Sequence, residues 1–464
     1  MAAQQTLIKD AYAYDYARSE NSFSIVAELK QICSAGIARL FFYPVHILSQ
    51  RLATRSDFFK QCSSLPHFTS LWKTIRGGSF AYNSLLLGIT PLHFAASRTV
   101  IADLTCLAIL FGDEFIDGIS QTTGKPFVAS LMKDNKEHFY LQTKSENGKT
   151  VLFYQFDVRK LISAEVLNTV NAKYAITYSR FYELLLLLLE DLNQHLTKLS
   201  ESDAIEAAGK IVTVCNACFD TYIHDIETAP VQQSSGSASQ LLYFHTQKNQ
   251  PIQYQLLELR CMLAKRLHVM QQPSITGWLN IISVMQYYDD MMDAAADDEY
   301  QDNIFLNIAS QKFEDEYEWF RNHKELLTAA ENTAAVLSVH MPCSVHECMK
   351  MIAKMVSEMD WQQRKICNYL LRKNWFVKDS ASNEISQAGI NSLYEQVAQK
   401  MSGRVGATEI KAYVTDLCFH AVSMRQQLFD RSRLAERYEM RLDMLSMSPG
   451  KKCQIFDKVF AGSL

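Results

Sequence analysis

The chain has 464 residues, a formal net charge of −4 at pH 7 and 48% hydrophobic residues. It is long enough to bury a substantial core, and its weakly acidic balance gives no reason to expect nucleic-acid binding. With 16 glycines and 9 prolines, the composition favours long helices over a strand-and-turn fold. The 11 cysteines are odd in number and lack metal-finger spacing, which predicts reduced thiols in a cytoplasmic protein.

The sequence predicts neither a secretion signal nor a transmembrane segment. Asp10 and Asp15 interrupt the N-terminal region, where a signal peptide would need an uncharged apolar stretch. No run of 18 or more uncharged apolar residues occurs anywhere along the chain. We therefore expect a cytoplasmic protein without a membrane-spanning helix.

A first acidic cluster follows an apolar run in the N-terminal third of the chain. The run Ala108–Phe111 leads directly into Asp113, Glu114 and Asp117. Asp113 and Asp117 are four residues apart, so they share one face of a helix. A single pair of this kind is a weak signal, because chance supplies several in a chain of this length.

After this cluster the spacing of hydrophobic residues changes from a helical to a β-strand pattern, which predicts a β-hairpin. Two β-rich segments, 138–144 and 150–156, flank a turn that contains Asn147 and Gly148. An Asn-Gly pair between such segments is a strong hairpin signal. We interpret residues 121–156 as an insert, after which helical patterning resumes and includes the leucine run 184–189.

The second acidic cluster is the most informative stretch of the sequence. It follows the apolar and aromatic run Gly277–Tyr288 and places Asp289, Asp293 and Asp297 at i, i+4 and i+8. Like charges stacked one turn apart destabilise a helix, and a bound cation removes that repulsion. Carboxylates suit Mg²⁺, which proteins hold through one or two of them together with substrate phosphates. The alternative reading is a solvated acidic face.

The two clusters together resemble the metal-binding motifs of the class I isoprenoid synthase superfamily, in particular the class I terpene synthases. Asp113–Asp117 resembles the first motif, D-D-x-x-D, with Glu114 at its second position. Asp289–Asp297 resembles the second motif, with Asp293 in place of the usual hydroxyl residue and Asp297 in place of glutamate. The resemblance implies metal ligation by Asp113, Glu114, Asp117, Asp289, Asp290, Asp293 and Asp297.

Basic residues complete the resemblance. Glu436-Arg437-Tyr438 resembles the Arg-Tyr pair of bacterial terpene synthases, whose arginine binds diphosphate. Arg266 lies shortly before the second cluster, on the side where the family has a diphosphate-sensing arginine. The resemblance therefore implies diphosphate contacts from Arg266, Arg437 and Tyr438. It implies catalytic roles for Asp113, Asp117, Asp289, Asp293 and Arg437.

The resemblance also implies a fold and an activity. The expected fold is all-α: a class I isoprenoid synthase-like helical bundle over residues 1–330, with the hairpin insert and a C-terminal helical extension over 331–464. The expected enzyme is a carbon–oxygen lyase of isoprenoid biosynthesis that ionises an allylic prenyl diphosphate. It would use three Mg²⁺ ions, or Mn²⁺ in their place, to release a terpene and diphosphate. Because dimers are common among proteins with related folds, a homodimer is also possible.

Two other functions remain open from the sequence. One is prenyl transfer, by a chain-elongating trans-prenyltransferase or a head-to-head condensing enzyme. Chain-elongating enzymes usually place two arginines just after the first motif, whereas Gly118–Thr122 follow here. The other is a non-catalytic helical interaction protein with a degenerate isoprenoid synthase fold.

Overall fold

The computed structural model describes the chain in segments that form two compact units. We name them the hairpin unit, Leu29–Pro230 with Pro251–Ile275, and the C-terminal unit, which includes Val231–Gln250 and Thr276–Leu464. The described residues are 42–85, 96–155, 157–235, 238–297, 303–328, 333–360, 362–364, 366–367, 387–419, 445 and 447–460.

The hairpin unit is predominantly helical. Its elements are α1 (42–53), α2 (Asp57–Cys62), α3 (Phe68–Leu85), α4 (Ala96–Thr123), α5 (Lys125–Asp134), α6 (Lys136–Phe139), β1 (Leu141–Glu146), β2 (Lys149–Tyr154), a 3₁₀ turn (Val158–Lys160), α7 (Ala164–Leu167), β3 (Val170–Asn171), β4 (Ile176–Thr177) and α8 (Tyr178–Leu196). Three helices have residues in both units: α9 (Glu201–Ser235), α10 (Ala238–Leu263) and α11 (Ser274–Met292), with a 3₁₀ turn (Leu267–Gln271) before α11.

Helices α4 and α8 form the centre of the hairpin unit. Both carry long apolar runs, and Leu104 and Leu107 of α4 are fully buried in the same core as Leu184 and Leu188 of α8. The helices approach closely at Gly118, where an added Cβ would overlap the Tyr178 ring. Glycine at this position therefore allows the start of α8 to lie against the C-terminal half of α4.

The hairpin predicted around Asn147 and Gly148 is confirmed. Strands β1 and β2 pair in antiparallel register from Leu141↔Tyr154 to Glu146↔Lys149. Asn147 and Gly148 both have positive φ, 51° and 71°, as a two-residue type I′ turn requires. The observed hairpin covers only part of the predicted insert, 121–156. Helix α4 continues to Thr123, and helices α5 and α6 precede β1.

Two asparagine side chains form hydrogen bonds with backbone groups on the outer edges of this hairpin. Asn193 of α8 accepts from the Leu152 N–H at 2.7 Å and donates to the Leu152 carbonyl at 2.8 Å. Asn216 of α9 makes the same pair of bonds to Leu141, at 2.9 and 3.0 Å. An isolated two-stranded hairpin is marginal in water, so these side chains supply edge partners that further strands would otherwise provide.

The C-terminal unit is helical in its described part. After α11 come α12 (Ala294–Asp297), α13 (Ile304–Lys312), α14 (Glu314–Asn322), α15 (Lys324–Thr328), α16 (Thr333–His340), α17 (Pro342–Ser357), α18 (Gln387–Met401), α19 (Ala407–Phe419) and α20 (Pro449–Phe460).

Buried charged side chains connect the helices of this unit. Glu316 of α14 accepts from the N–H groups of Cys343 and Ser344 at 2.8 Å each, so a carboxylate caps the positive N-terminus of α17. Lys452 of α20 donates to Asp416 of α19 at 2.6 Å, and both side chains are buried. These contacts are specific enough to fix which helix ends meet.

The all-α expectation is therefore confirmed for the described residues, apart from the small strands. The class I isoprenoid synthase arrangement of these helices, and the division of the chain at residue 330, stay predictions. In the part of the chain that the structure covers, no helix combines the length and the hydropathy needed to cross a bilayer.

Candidate functional site

The first acidic cluster lies near the C-terminal end of α4 and exposes two carboxylates. Asp113 and Asp117 are solvent-exposed, whereas Phe115 and Ile116 between them are buried. The four-residue spacing puts both aspartates on one helix face, one turn apart. We call this pair, Asp113 and Asp117, the acidic face of α4.

Glu114, the remaining acid of this cluster, forms an ion pair with a lysine side chain. Its carboxylate forms an ion pair with Lys173, which lies between β3 and β4, and its side chain is only 26% exposed. A carboxylate that is already neutralised has less affinity for a metal ion. Within this cluster, Asp113 and Asp117 are the two acids whose side chains are exposed to solvent.

The buried side of α4 that carries Phe115 and Ile116 borders a small cavity. Phe115 and Ile116 line a space of about 20 Å³, together with Tyr182 and Phe219. This is room for about one water molecule, whereas sites for small organic ligands occupy about 300–1,000 Å³. Phe111, at the end of the apolar run before this cluster, is fully buried and stacks on Phe181 with ring centroids 4.7 Å apart.

The second acidic cluster lies in the C-terminal unit, and its predicted column of three aspartates is interrupted. Helix α11 ends at Met292 and Asp293 forms a bend, although the Asp293 N–H still bonds the Asp289 carbonyl at 2.8 Å. Asp289 and Asp293 thus remain one turn apart. Asp297 follows in the separate helix α12, and its side chain lies outside the described residues.

Asp290 serves the local fold. Its side chain is buried, and its two oxygens accept from the Gln286 amide at 2.6 Å and from the Ile304 N–H at 2.7 Å. Its carbonyl accepts from the side chain of Asn303, the N-cap residue of α13. These bonds hold the start of α13 against the end of α11, so both Asp290 oxygens have protein donors.

Of the residues predicted to bind diphosphate, the structure describes only one. Arg437 and Tyr438 lie outside the described residues. Arg266 is half-buried in the hairpin unit at the start of the 3₁₀ turn, and its buried Nε has no hydrogen-bond partner among the described residues. Its predicted role stays a prediction.

The hairpin unit contains a buried charged network that was not predicted from the sequence. Asp103 of α4 is fully buried and bonds two buried arginines, Arg76 of α3 and, at 3.2 Å, Arg260 of α10. Arg76 also donates to the His46 carbonyl at 2.7 Å and to Ser49 at 2.6 Å. A buried aspartate inside an apolar helix was the available signal, but its partners are distant in sequence.

This network is best read as structural. Burial and the Arg76 charge lower the pKa of His46 to about 4, so its imidazole is neutral at pH 7. Asp103 and Asp113 are ten residues apart on α4, about 15 Å along the helix axis. One diphosphate therefore cannot contact both the arginine network and the acidic face of α4.

The described side chains offer few ligands for a divalent cation. Among the described side chains, no group of three or more His, Cys, Asp or Glu residues could hold a metal ion. Mg²⁺ needs fewer protein ligands, since it keeps waters and takes further oxygens from substrate phosphates. The two exposed carboxylates of the acidic face meet this smaller requirement.

Comparisons with models of protein families, with curated proteins and with solved structures found no match to the chain. The function must therefore be inferred from the chemistry of the residues themselves.

Proposed function

We propose that the protein is a class I terpene synthase that ionises an allylic prenyl diphosphate bound through Mg²⁺ at the acidic face of α4. The observation that carries this proposal is the exposed Asp113 and Asp117 pair, one turn apart on a helix that is buried over most of its length. Asp289 and Asp293 form a second pair with the same spacing after a second apolar helix.

In this proposal the carboxylates position the substrate by its diphosphate. Asp113 and Asp117 would hold the metal through which the diphosphate binds. The bound metal would supply Lewis-acid neutralisation of the leaving group, an effect worth several kcal/mol. Apolar and aromatic side chains would exclude water from the allylic cation.

The proposal requires the cavity beside Phe115 to widen when substrate binds. The present space of about 20 Å³ holds one water, and a prenyl chain needs several hundred Å³. Phe115 and Tyr182, with ring centroids 5.7 Å apart, contact each other beside it.

The test is incubation of the purified protein with Mg²⁺ and geranyl, farnesyl or geranylgeranyl diphosphate, with detection of released diphosphate and of extracted products. We expect one substrate to give a hydrocarbon or alcohol, with activity lost in Asp113→Asn/Asp117→Asn. The matched control is Glu314→Gln/Glu318→Gln, which alters another exposed acidic pair one turn apart. A longer diphosphate made only with isopentenyl diphosphate would instead identify prenyl transfer.

A second candidate is a non-catalytic helical interaction protein. It is favoured by the internal use of two predicted ligands, because Glu114 pairs with Lys173 and Asp290 caps the chain at Ile304. Absence of turnover with all three substrates, together with absence of diphosphate binding, would select this function.

A further inference from the structure

The buried charged network of the hairpin unit carries more positive than negative charge. The side chains of Arg76 and Arg260 are buried, and both form ion pairs with the fully buried Asp103. A guanidinium remains protonated in proteins, so two cations face one carboxylate. We call these three residues the arginine cluster, and their charges leave one positive charge in excess.

Among the described residues, the side chains that contact the arginine cluster supply no further negative charge. The Cys106 sulfur lies 3.3 Å from Nη2 of Arg260, but burial raises the pKa of this thiol, so it is neutral at pH 7. His46 is neutral as well, because burial and the Arg76 charge lower its pKa to about 4. The Trp72 ring centroid lies 5.7 Å from Cζ of Arg76, a cation–π contact that adds no net charge.

Buried polar atoms without hydrogen-bond partners among the described residues lie beside the cluster on α3 and α4. They are Nε of Arg76, Oδ1 of Asn83 and Oγ1 of Thr99. On α3, Nδ2 of Asn83 donates to Oγ of Ser79 at 3.0 Å. On α4, Thr99 precedes Asp103 by four residues, so both lie on the helix face that contacts Arg76. We call the packed surface that these five residues form the α3–α4 seam.

The excess charge and the unpartnered donors both destabilise the buried seam. A charge buried without a counter-charge is unfavourable, and so is a buried N–H or O–H group without an acceptor. A water molecule in the seam would satisfy the donors but would leave the charge. A bound anion corrects both defects, because it neutralises the cluster and accepts from the Arg76 Nε–H and the Thr99 hydroxyl.

We propose that the α3–α4 seam binds one small monovalent inorganic anion, such as chloride, against the Nε–H of Arg76 and the hydroxyl of Thr99. A single excess charge selects a monovalent over a divalent anion. A half-turn of the Asn83 amide would present its N–H groups to the ion, with Ser79 then donating to Oδ1. The ion would stabilise the packing of α3 on α4, and it is independent of the diphosphate chemistry proposed for the acidic face of α4.

The first experiment measures the Tm of the full-length protein in sodium chloride and in sodium gluconate at equal ionic strength, without Mg²⁺ or pyrophosphate. Gluconate is too large for a buried site. Chloride at about ten times its Kd should raise the Tm by about 3–5 °C over gluconate. Sodium bromide should act like chloride. Equal Tm values in chloride and gluconate would overturn the proposal.

Variants of α4 separate a specific site from a general salt effect. Thr99→Val keeps the side-chain shape but removes the donor, so the Kd for chloride should rise about tenfold, as for a hydrogen bond to a charged group. Thr105→Val is the matched control, because the equally buried Thr105 hydroxyl already donates to the Ile101 carbonyl at 2.8 Å. It should keep the wild-type response. Arg76→Met, which removes the excess charge, should show none. Equal responses of Thr99→Val and Thr105→Val would overturn the proposal.

The second experiment locates the ion in crystals of the wild type and of Thr99→Val soaked in sodium bromide, whose anomalous scattering distinguishes it from water. We expect a bromide peak in contact with Arg76 Nε and Thr99 Oγ1 in the wild type, and a weaker peak or none in the variant. Bromide found only at exposed side chains would identify adventitious ions only and overturn the proposal. Turnover of prenyl diphosphates decides neither outcome, because the seam takes no part in that chemistry.

Discussion

Individual carboxylates in the two acidic clusters differ in what their oxygen atoms contact. Asp113 and Asp117 are exposed to solvent, Glu114 pairs with Lys173, and Asp290 accepts from two protein donors inside the C-terminal unit. Equivalent residue types in similar motifs therefore carry different roles. The role of the exposed pair is a proposal, whereas the bonds of Asp290 predict a structural role that can be measured.

Asp290→Ala should destabilise the protein, because it leaves the buried Ile304 N–H without an acceptor. An unsatisfied buried group of this kind costs about 1–3 kcal/mol. Glu318→Ala, on the exposed face of α14 in the same unit, should change stability by less than about 0.5 kcal/mol. Urea denaturation followed by circular dichroism measures both values. Equal stability of the two variants would show that the Asp290 bonds contribute nothing.

His346 provides a pH-dependent prediction. Both of its ring nitrogens are buried without hydrogen-bond partners among the described residues, and burial lowers its pKa to about 3. The unfolded chain therefore binds a proton near pH 6.5 that the folded chain does not bind. Stability associated with His346 is present above pH 6.5 and is lost as the pH falls toward 3.

His346→Leu should remove this acid sensitivity at little cost, since no hydrogen bond is broken. Relative to the wild type, the variant should gain about 2 kcal/mol of stability between pH 7 and pH 5. Urea denaturation at the two pH values measures the difference. His323→Leu, which alters an exposed histidine of the same unit, is the control and should show a smaller change. A constant difference between His346→Leu and the wild type would contradict a neutral buried imidazole.

At the scale of secondary-structure elements, the hairpin depends on its two asparagine partners. Each asparagine bonds one strand, Asn193 to Leu152 in β2 and Asn216 to Leu141 in β1. Because the bonds are separate, loss of one should release one strand edge only. The two sites therefore serve as controls for each other.

Asn193→Leu should speed hydrogen exchange at the Leu152 amide and leave the Leu141 amide protected. Asn216→Leu should have the opposite effect. Each variant should also lose about 1–3 kcal/mol, because two backbone groups lose their partners. Hydrogen exchange followed by mass spectrometry at peptide resolution separates the two strands. Equal exchange at both amides in either variant would contradict independent bonding of the strands.

Features fixed by local chemistry could be predicted from the sequence. The Asn147-Gly148 turn was predicted because the positive φ angles it needs suit those two residues. The interrupted aspartate column could not be predicted, because α11 ends where Asp290 bonds Ile304, fourteen residues later. Likewise, the Asp103 and Arg260 contact joins residues 157 positions apart, and no local pattern encodes it.

At the scale of the whole molecule, we propose that the acidic face of α4 binds diphosphate through Mg²⁺. Any ligand that binds the folded chain and not the unfolded chain raises stability by mass action. The gain is about 2.7 kcal/mol when the ligand is present at a hundred times its Kd. For a unit of this size, that corresponds to about 5–10 °C in Tm.

The most direct measurement is therefore the Tm of the wild type and of Asp113→Asn/Asp117→Asn, with Mg²⁺, inorganic pyrophosphate, both or neither. We predict that the wild type gains stability only when both are present, that the variant gains none, and that Glu314→Gln/Glu318→Gln behaves like the wild type. A wild-type Tm unchanged by Mg²⁺ and pyrophosphate together, or an equal gain in the aspartate variant, would contradict the assignment of the acidic face as a diphosphate site.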